Sequence, residues 1–221
     1  MFVVSYDMMA GRRVIESMRM RRKPNLIPRM ERCSDVHVTE PAQLRGRWKE
    51  VFPTYKEIRL EIGCGKGRFT AEQARRDPDV LLIAVEKDPS ALVMAMERIQ
   101  NEEVPNVRFM EQDAADLREF FAPGELSRVY INFPDPWRKT RQHKRRLTAP
   151  SFLEIYRELL PEGGQVWFKT DNEPLFEWSM ESFAECGWAV EPMPEGSPLT
   201  DYEAKFMEMG LPIHRVVATR P

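Results

Sequence analysis

The sequence predicts an α/β fold: a mostly parallel seven-stranded sheet with helices on both faces. Three observations carry that expectation. From Arg59 onward, short apolar runs with strand character alternate with longer runs of helical periodicity. The first strand passes into the next helix through a loop punctuated by Gly63, Gly65 and Gly67. Acids then stand at the ends of three successive strands, as Glu61, Glu86 and Asp113.

The segment before the sheet is basic. Between Arg12 and Arg32, Arg12, Arg13, Arg19, Arg21, Arg22, Lys23, Arg29 and Arg32 stand against only Glu16 and Glu31, and Met1 to Val4 is too short an apolar stretch for a secretory signal. Residues 1–41 are therefore expected to form a poorly ordered arm that either contributes charge to polyanion binding or is a solvated tail, and residues 42–221 the folded domain. Around Leu44, Trp48 and Val51 the pattern predicts a short amphipathic helix leading into the sheet.

Leu60 and Ile62 alternate about Glu61 as a strand does, and Phe69 to Arg76 follows as helix. Val80 to Val85 is a continuous apolar run, the signature of a strand buried on both faces. In the next helix, Ala91 to Ile99, residues Leu92, Met96 and Ile99 share one face. Strand Val107 to Met110, short helix Leu117 to Phe121 and strand Val129 to Phe133 come next. Phe152, Ile155, Tyr156 and Leu159 mark a further helix, which Gly163-Gly164 ends before strand Gln165 to Lys169. Leu175 to Cys186 reads as helix, and Trp188 to Pro192 and Ile213 to Thr219 as the last strands. A loop and a short helix separate those two, too little for a full crossover, so antiparallel pairing is expected at one edge.

At 221 residues and 25.9 kDa the chain can bury one full core. Hydrophobic residues make up 42% and charged residues 31%, which suits a soluble globular protein, and no run approaches the ~20 apolar residues of a membrane span. Cys33, Cys64 and Cys186 are odd in number and far apart, so neither a disulfide framework nor a metal site is indicated, and a reducing, cytoplasmic setting is expected. A net charge of −2 confines any nucleic-acid site to a local basic patch. No feature calls for an obligatory protein partner, so a monomer or homodimer is expected.

The glycine loop lets the backbone approach a ligand closely, and its spacing leaves two ligands open. Dinucleotide sites prefer G-x-G-x-x-G, with a third glycine one place beyond Gly67. The G-x-G-x-G preceded by Glu61 is similar to that of class I S-adenosylmethionine (SAM) dependent methyltransferases, where a carboxylate suits the cationic amino-acid end of SAM and would repel a pyrophosphate. Glu86, about 20 residues past the loop, stands where an acid accepts hydrogen bonds from ribose hydroxyls, and Asp113 where one reaches an adenine amino group. Either acid alone serves equally well as a helix cap. Three in succession favour a nucleoside ligand.

The fourth strand runs into Ile131-Asn132-Phe133-Pro134-Asp135-Pro136-Trp137. Prolines on both sides of Asp135 stiffen the backbone and hold its carboxylate at the strand end, and Trp137 offers a stacking face for a base. Lys139, Arg141, Lys144, Arg145 and Arg146 then form a dense positive run suited to phosphates. Charge runs are usually solvated faces. The rigid carboxylate and aromatic immediately before this one favour a functional role.

Asn132 to Leu147 resembles the signature of the tRNA (guanine-N7-)-methyltransferases of the bacterial TrmB type, roughly N-F-x-D-P-W-P-K-K-R-H-x-K-R-R-L. Glu61 to Gly67, Phe168-Lys169-Thr170-Asp171-Asn172 and Thr200 to Phe206, similar to T-x-Y-E-x-K-F, agree with the same family, and the match spans about Glu57 to Arg215. Arg138, Thr140 and Gln142 depart from it, standing for proline, lysine and histidine. The resemblance implies a Rossmann-like class I SAM-dependent methyltransferase domain that forms 7-methylguanosine in tRNA. It also implies a SAM pocket lined by Glu61, Gly63, Gly65, Glu86, Asp113 and Asp135, with Asp135 catalytic as well. Lys139, Asp171, Thr200, Asp201, Tyr202 and Glu203 are implied to meet the tRNA substrate. On the residues alone, Asp171 could instead cap the next helix, and Tyr202 could be a core residue.

Three rivals remain at this level. The loop after Asn132 is similar to the Asp/Asn-Pro-Pro-aromatic loops of amino methyltransferases, but Asp135 separates the prolines. An NAD-dependent oxidoreductase needs a proton-transfer group, and none of His37, His143 and His214 sits at a strand end. A non-catalytic RNA-binding protein on the same fold is the third.

Overall fold

The computed structural model describes residues 4–7, 12–15 and 24–221, the backbone alone at 4–7, 12–15, 205, 206 and 208. Val4–Asp7 (β1) and Arg12–Ile15 (β2) pair as an antiparallel hairpin in which Val4 opposes Ile15. The other residues of the expected arm up to position 23 lie outside the described residues.

The boundary expected at 41/42 comes too late. Leu26–Arg32 forms a helix (α1) against Pro89–Asn101 (α4), burying Leu26, Cys33 and Val36. Arg29 grips Glu97 with two hydrogen bonds, of 2.6 and 2.5 Å, and Gln100 Nε2 donates to the Arg32 carbonyl at 3.0 Å, closing the same contact. Val36 and Val38 also exchange backbone hydrogen bonds of 2.8 and 2.9 Å with Phe109, extending the edge of the sheet. Charge on the exposed face of α1 hides this packing in the sequence.

The helix expected around Leu44, Trp48 and Val51 is broken. Gly46, at φ 74°, separates a 3-10 turn, Pro41–Leu44, from the single helical turn Trp48–Val51 (α2). Trp48 is fully buried, donates its indole N–H to the Phe120 carbonyl at 2.9 Å and stacks on Phe121. Val51, expected on the same apolar face, is 43% exposed.

From there the alternation is as expected: Glu57–Ile62 (β3), Arg68–Arg76 (α3), Val80–Val85 (β4), α4, Val107–Met110 (β5), Leu117–Phe120 (α5) and Arg128–Asn132 (β6). Pro150–Leu159 (α6), Gln165–Thr170 (β7), Glu173–Glu185 (α7), Ala189–Pro192 (β8), Asp201–Glu208 (α8) and His214–Thr219 (β9) complete it. The seven-stranded sheet has the order β5-β4-β3-β6-β7-β9-β8. It is parallel from β5 to β7, and β9 runs antiparallel to both β7 and β8. The expected antiparallel edge is therefore present, with the last strand inserted inside the penultimate one.

Alternate residues of β4 serve opposite layers: Leu81, Ile83 and Val85 pack with α5, α6 and α7, and Leu82 and Ala84 with α3, α4 and α1. Each such fully buried valine, leucine or isoleucine side chain contributes about 1.5–3 kcal/mol of transfer free energy. The chain leaves β3 toward one edge and returns to its other side at β6, so the strand order reverses between them. Ligands in open α/β sheets sit outside the carboxyl ends at this reversal.

Candidate active site

Two loops meet at that reversal, Gly63 to Gly67 after β3 and Phe133 to Trp137 after β6, with Ile62 and Ile131 paired at the last rung. Gly63 and Gly65 have φ of 77° and 58°, and a Cβ at either would meet no heavy atom within 4 Å. Their backbone thus faces open space in a conformation that other residues reach only with strain. Gly67 has a different duty: a Cβ there would stand 2.9 Å from the Ala95 Cβ, so its absence sets how closely α3 approaches α4. On the second loop, Phe133 and Trp137 take φ of 50° and 43°, left-handed values that flank the Pro134-Asp135-Pro136 turn.

The loops divide one cleft into two connected chambers that share Gly63, Asn132, Phe133, Pro134 and Asp135. The larger, of about 640 Å³, is lined by Glu86, Asp113, Ala114, Trp137 and Arg145 among others. The smaller, of about 390 Å³, is lined by Glu61, Gly65, Arg138, Asp171, Thr200, Asp201 and Tyr202. Asp135 is exposed at the junction of the two. The acids expected at the strand ends are brought to one cleft, Glu86 and Asp113 in one chamber and Glu61 in the other.

Each acid is also held by the fold. Glu61 is buried, accepts a 2.6 Å hydrogen bond from the Thr70 hydroxyl and a 3.4 Å one from Asn132, and its pKa is pushed up to about 7. Burial is the main cause, with Glu86 adding to it and the two hydrogen bonds opposing it. Glu86 accepts from the backbone N–H groups of Gly65 and Asp88, at 3.1 and 2.9 Å, which fixes it against the glycine loop. Asp113 caps the 3-10 turn Ala114–Asp116 by accepting from Ala115. Cap and cleft wall are thus the same residue.

Asp171 does not cap α7. Asn172 does, accepting from the Leu175 N–H at 2.9 Å. Asp171 instead accepts from the Tyr202 hydroxyl at 3.3 Å, and burial raises its pKa while that hydrogen bond opposes the rise. Burial likewise raises the Tyr202 phenol, and Asp171 beside it raises it further. The Tyr202 ring packs on Phe133 with centroids 5.0 Å apart.

The basic run is a 3-10 helix, Thr140–Arg145, whose members diverge. Arg138, Lys139, Arg141, Lys144 and Arg145 are exposed, and Lys139, expected at the substrate, sits at the start of the turn outside both chambers. Arg145 lies 3.9 Å over the Trp137 ring, so one stacking face expected for a base is covered. Arg146, expected with the phosphate-binding cations, is only 5% exposed and is turned inward.

Glu203 also departs from its expected place at the substrate. It is fully buried, with Oε2 3.1 Å from Lys169 Nζ and Oε1 2.8 Å from Arg215 Nη2. Thr200 and Asp201 reach the cleft, and Asp201 stands 3.7 Å from Arg98.

Residues 55–216 match a family model, Methyltransf_4, described as "Putative methyltransferase". The chain belongs to this methyltransferase family, that of the tRNA guanine-N7 methyltransferase TrmB. Among solved structures, the 16S rRNA methyltransferase KamB is 15% identical, with a TM-score of 0.60 over 79% of this chain and 92% of that one. The aminoglycoside resistance methyltransferase NpmB1 is 19% identical, with a TM-score of 0.56 over 80% and 93%. A precorrin-6y C5,15-methyltransferase from Geobacter metallireducens GS-15 is 15% identical, with a TM-score of 0.55 over 87% of each chain. At these identities the likeness is one of fold, and it makes the sheet that of the class I SAM-dependent methyltransferases.

A SAM-dependent methyltransferase needs a pocket for a nucleoside bearing a positive charge. The chambers meet that need: open glycine backbone, carboxylates on both sides of it, and a volume within the range of small-molecule sites. Among the described residues no group of three or more His, Cys, Asp or Glu is arranged to hold a metal ion. Asn132, Phe133 and Arg138 line the cleft of this methyltransferase, and Thr70, buried behind it, holds Glu61; none of the four stands out as a site residue in the sequence. The strand-end position of Asn132 was the one available signal.

Proposed function

We propose that this methyltransferase transfers a methyl group from SAM to N7 of a guanosine in tRNA, forming 7-methylguanosine. The observation that carries the proposal is the position of Asp135, held between two prolines where the chambers meet, with five exposed cations following it within ten residues. Support for tRNA comes from the motifs around Asn132 to Leu147 and Thr200 to Phe206, which resemble those of the TrmB type.

In this scheme Glu86 accepts from the ribose hydroxyls, Asp113 from the adenine amino group, and Glu61 faces the cationic amino-acid end, while Gly63 and Gly65 give the backbone access. Bound SAM supplies an electrophilic methyl group on a sulfonium. Guanine N7 has an in-plane lone pair and no proton, so the protein need supply no strong base. Methyl transfer leaves a cationic purine. Asp135 then stabilises the charge developing on the base, and Asp171 and Tyr202 hold its edge in the smaller chamber. Exposed Lys139, Arg141, Lys144 and Arg145 take the phosphates.

Incubating bulk unmodified tRNA with labelled SAM and analysing the nucleosides tests this directly. Label in 7-methylguanosine is expected. Label in another nucleoside, or in rRNA alone, refutes it.

A further inference from the structure

We propose that Glu203 is a positioning residue: it locks the start of α8 to two cations of the sheet and thereby fixes Tyr202 against Phe133 and Asp171 in the smaller chamber. The inference deepens the proposed function, resting on that chamber receiving the acceptor base.

Lys169 and Arg215 are cross-strand partners in the antiparallel pair of β7 and β9. Two cations opposite one another on one face repel, and Lys169 is 1% exposed, with burial lowering its pKa. Glu203 enters between them from α8. One carboxylate oxygen meets Lys169 Nζ at 3.1 Å, and the other accepts from Arg215 Nε and Nη2 at 3.1 and 2.8 Å. Lys169 also donates to the Pro198 carbonyl at 2.8 Å, so the chain entering α8 is held by the same ammonium.

The helix start has its own lock. Thr200 Oγ1 accepts from the Glu203 N–H at 2.9 Å, and Glu203 Oε2 lies 3.4 Å from the Thr200 N–H. This is the reciprocal T-x-x-E arrangement of a capping box, with the glutamate shared between the helix end and the sheet. Tyr202 immediately precedes Glu203 and points the other way, into the chamber. The Phe133 N–H donates to the Lys169 carbonyl at 2.8 Å, so both rings of the Phe133 and Tyr202 pair are referred to one residue of β7. The geometry assigns Glu203 to the frame behind the site.

A double-mutant cycle tests this with the full chain. Turnover on unmodified tRNA at saturating SAM is compared for wild type, Glu203→Gln, Tyr202→Ala and the double variant. Glu203→Gln should lower kcat by about tenfold or more, since misplacement in a site is costly, while the calorimetric Kd for SAM changes less than about twofold. If Glu203 acts through Tyr202, the double variant should be no slower than the slower single variant, within about twofold. Effects that multiply, or wild-type kcat in Glu203→Gln, overturn the inference. If wild type methylates no tRNA, the acceptor reading fails instead, and hydrogen exchange then decides the inference. Amides of 200–204 should exchange about tenfold faster or more in Glu203→Gln, and unchanged protection overturns it. Should Glu203→Gln not fold, Arg215→Gln, which leaves the Lys169 contact intact, takes its place in the same cycle.

Discussion

Arg146 donates its Nε–H to the carbonyl oxygen of Pro136 at 2.9 Å. Its guanidinium also lies 4.6 Å over the Trp178 ring, and burial lowers its pKa. The last arginine of the basic run therefore braces the turn that carries Asp135, while its neighbours face solvent.

Separating Arg146 from those neighbours should split two effects. Arg146→Ala removes the bond to Pro136 and the packed stem, and should cost about 2 kcal/mol in urea unfolding together with lower kcat. Lys144→Ala and Arg145→Ala should each change stability by less than about 0.5 kcal/mol. Both should weaken RNA binding and reduce its salt slope by about one per lost phosphate contact, read by filter binding at several salt concentrations. Equal stability losses at all three positions would contradict the division.

Asp135→Ala should reduce methyl transfer by about 100-fold or more, the scale for a group aimed at developing charge. Because Asp135 is exposed, its loss should leave the surrounding fold intact, and RNA affinity in the same filter assay should stay close to wild type. Retained turnover would remove Asp135 from the reaction.

The strands were legible because their physical demands are local. Val80 to Val85 is buried at every position, so it must be apolar throughout. Strand order was less so: β9 sits between β7 and β8, and only backbone pairing fixes that. Glu61, Glu86 and Asp113 could be placed in the cleft because the fold rule ties ligand to strand end. Arg146 and Glu203 could not be separated from the exposed charges beside them, since burial depends on the direction a short 3-10 turn or a capping box gives each side chain. The docking of α1 was masked in the same way, with Leu26, Cys33 and Val36 buried beneath a basic surface.

Gly67→Ala isolates helix packing from ligand access. The residue sits at φ 75° and the new methyl would meet Ala95 Cβ at 2.9 Å. Left-handed strain of about 1–2 kcal/mol and overpacking of similar size should both register in urea unfolding. Adding Ala95→Gly should recover only part of the packing loss, because Ala95 Cα would still stand 3.0 Å from the new methyl and a glycine inside α4 itself costs about 1 kcal/mol. Full recovery would mean the backbone there carries no strain.

Protonation of Glu61 should couple stability and cofactor binding in opposite senses. Its pKa in the folded protein is about 7 against an ordinary 4.5, so between those values the native state holds a proton that the unfolded chain has released. The stabilisation is present below about pH 4.5 and is lost as pH rises through about 7, to a total of up to about 3 kcal/mol. Glu61→Gln should remove this slope from urea unfolding measured across that window. A cationic cofactor prefers the ionised carboxylate, so SAM affinity should fall by about tenfold from pH 8 to pH 6, where the ionised fraction falls from most to little. The α-amino group of SAM titrates nearby, so calorimetric profiles of wild type and Glu61→Gln must be compared rather than read singly. If the two superimpose, Glu61 serves Thr70 alone and another acid holds the cationic end of SAM.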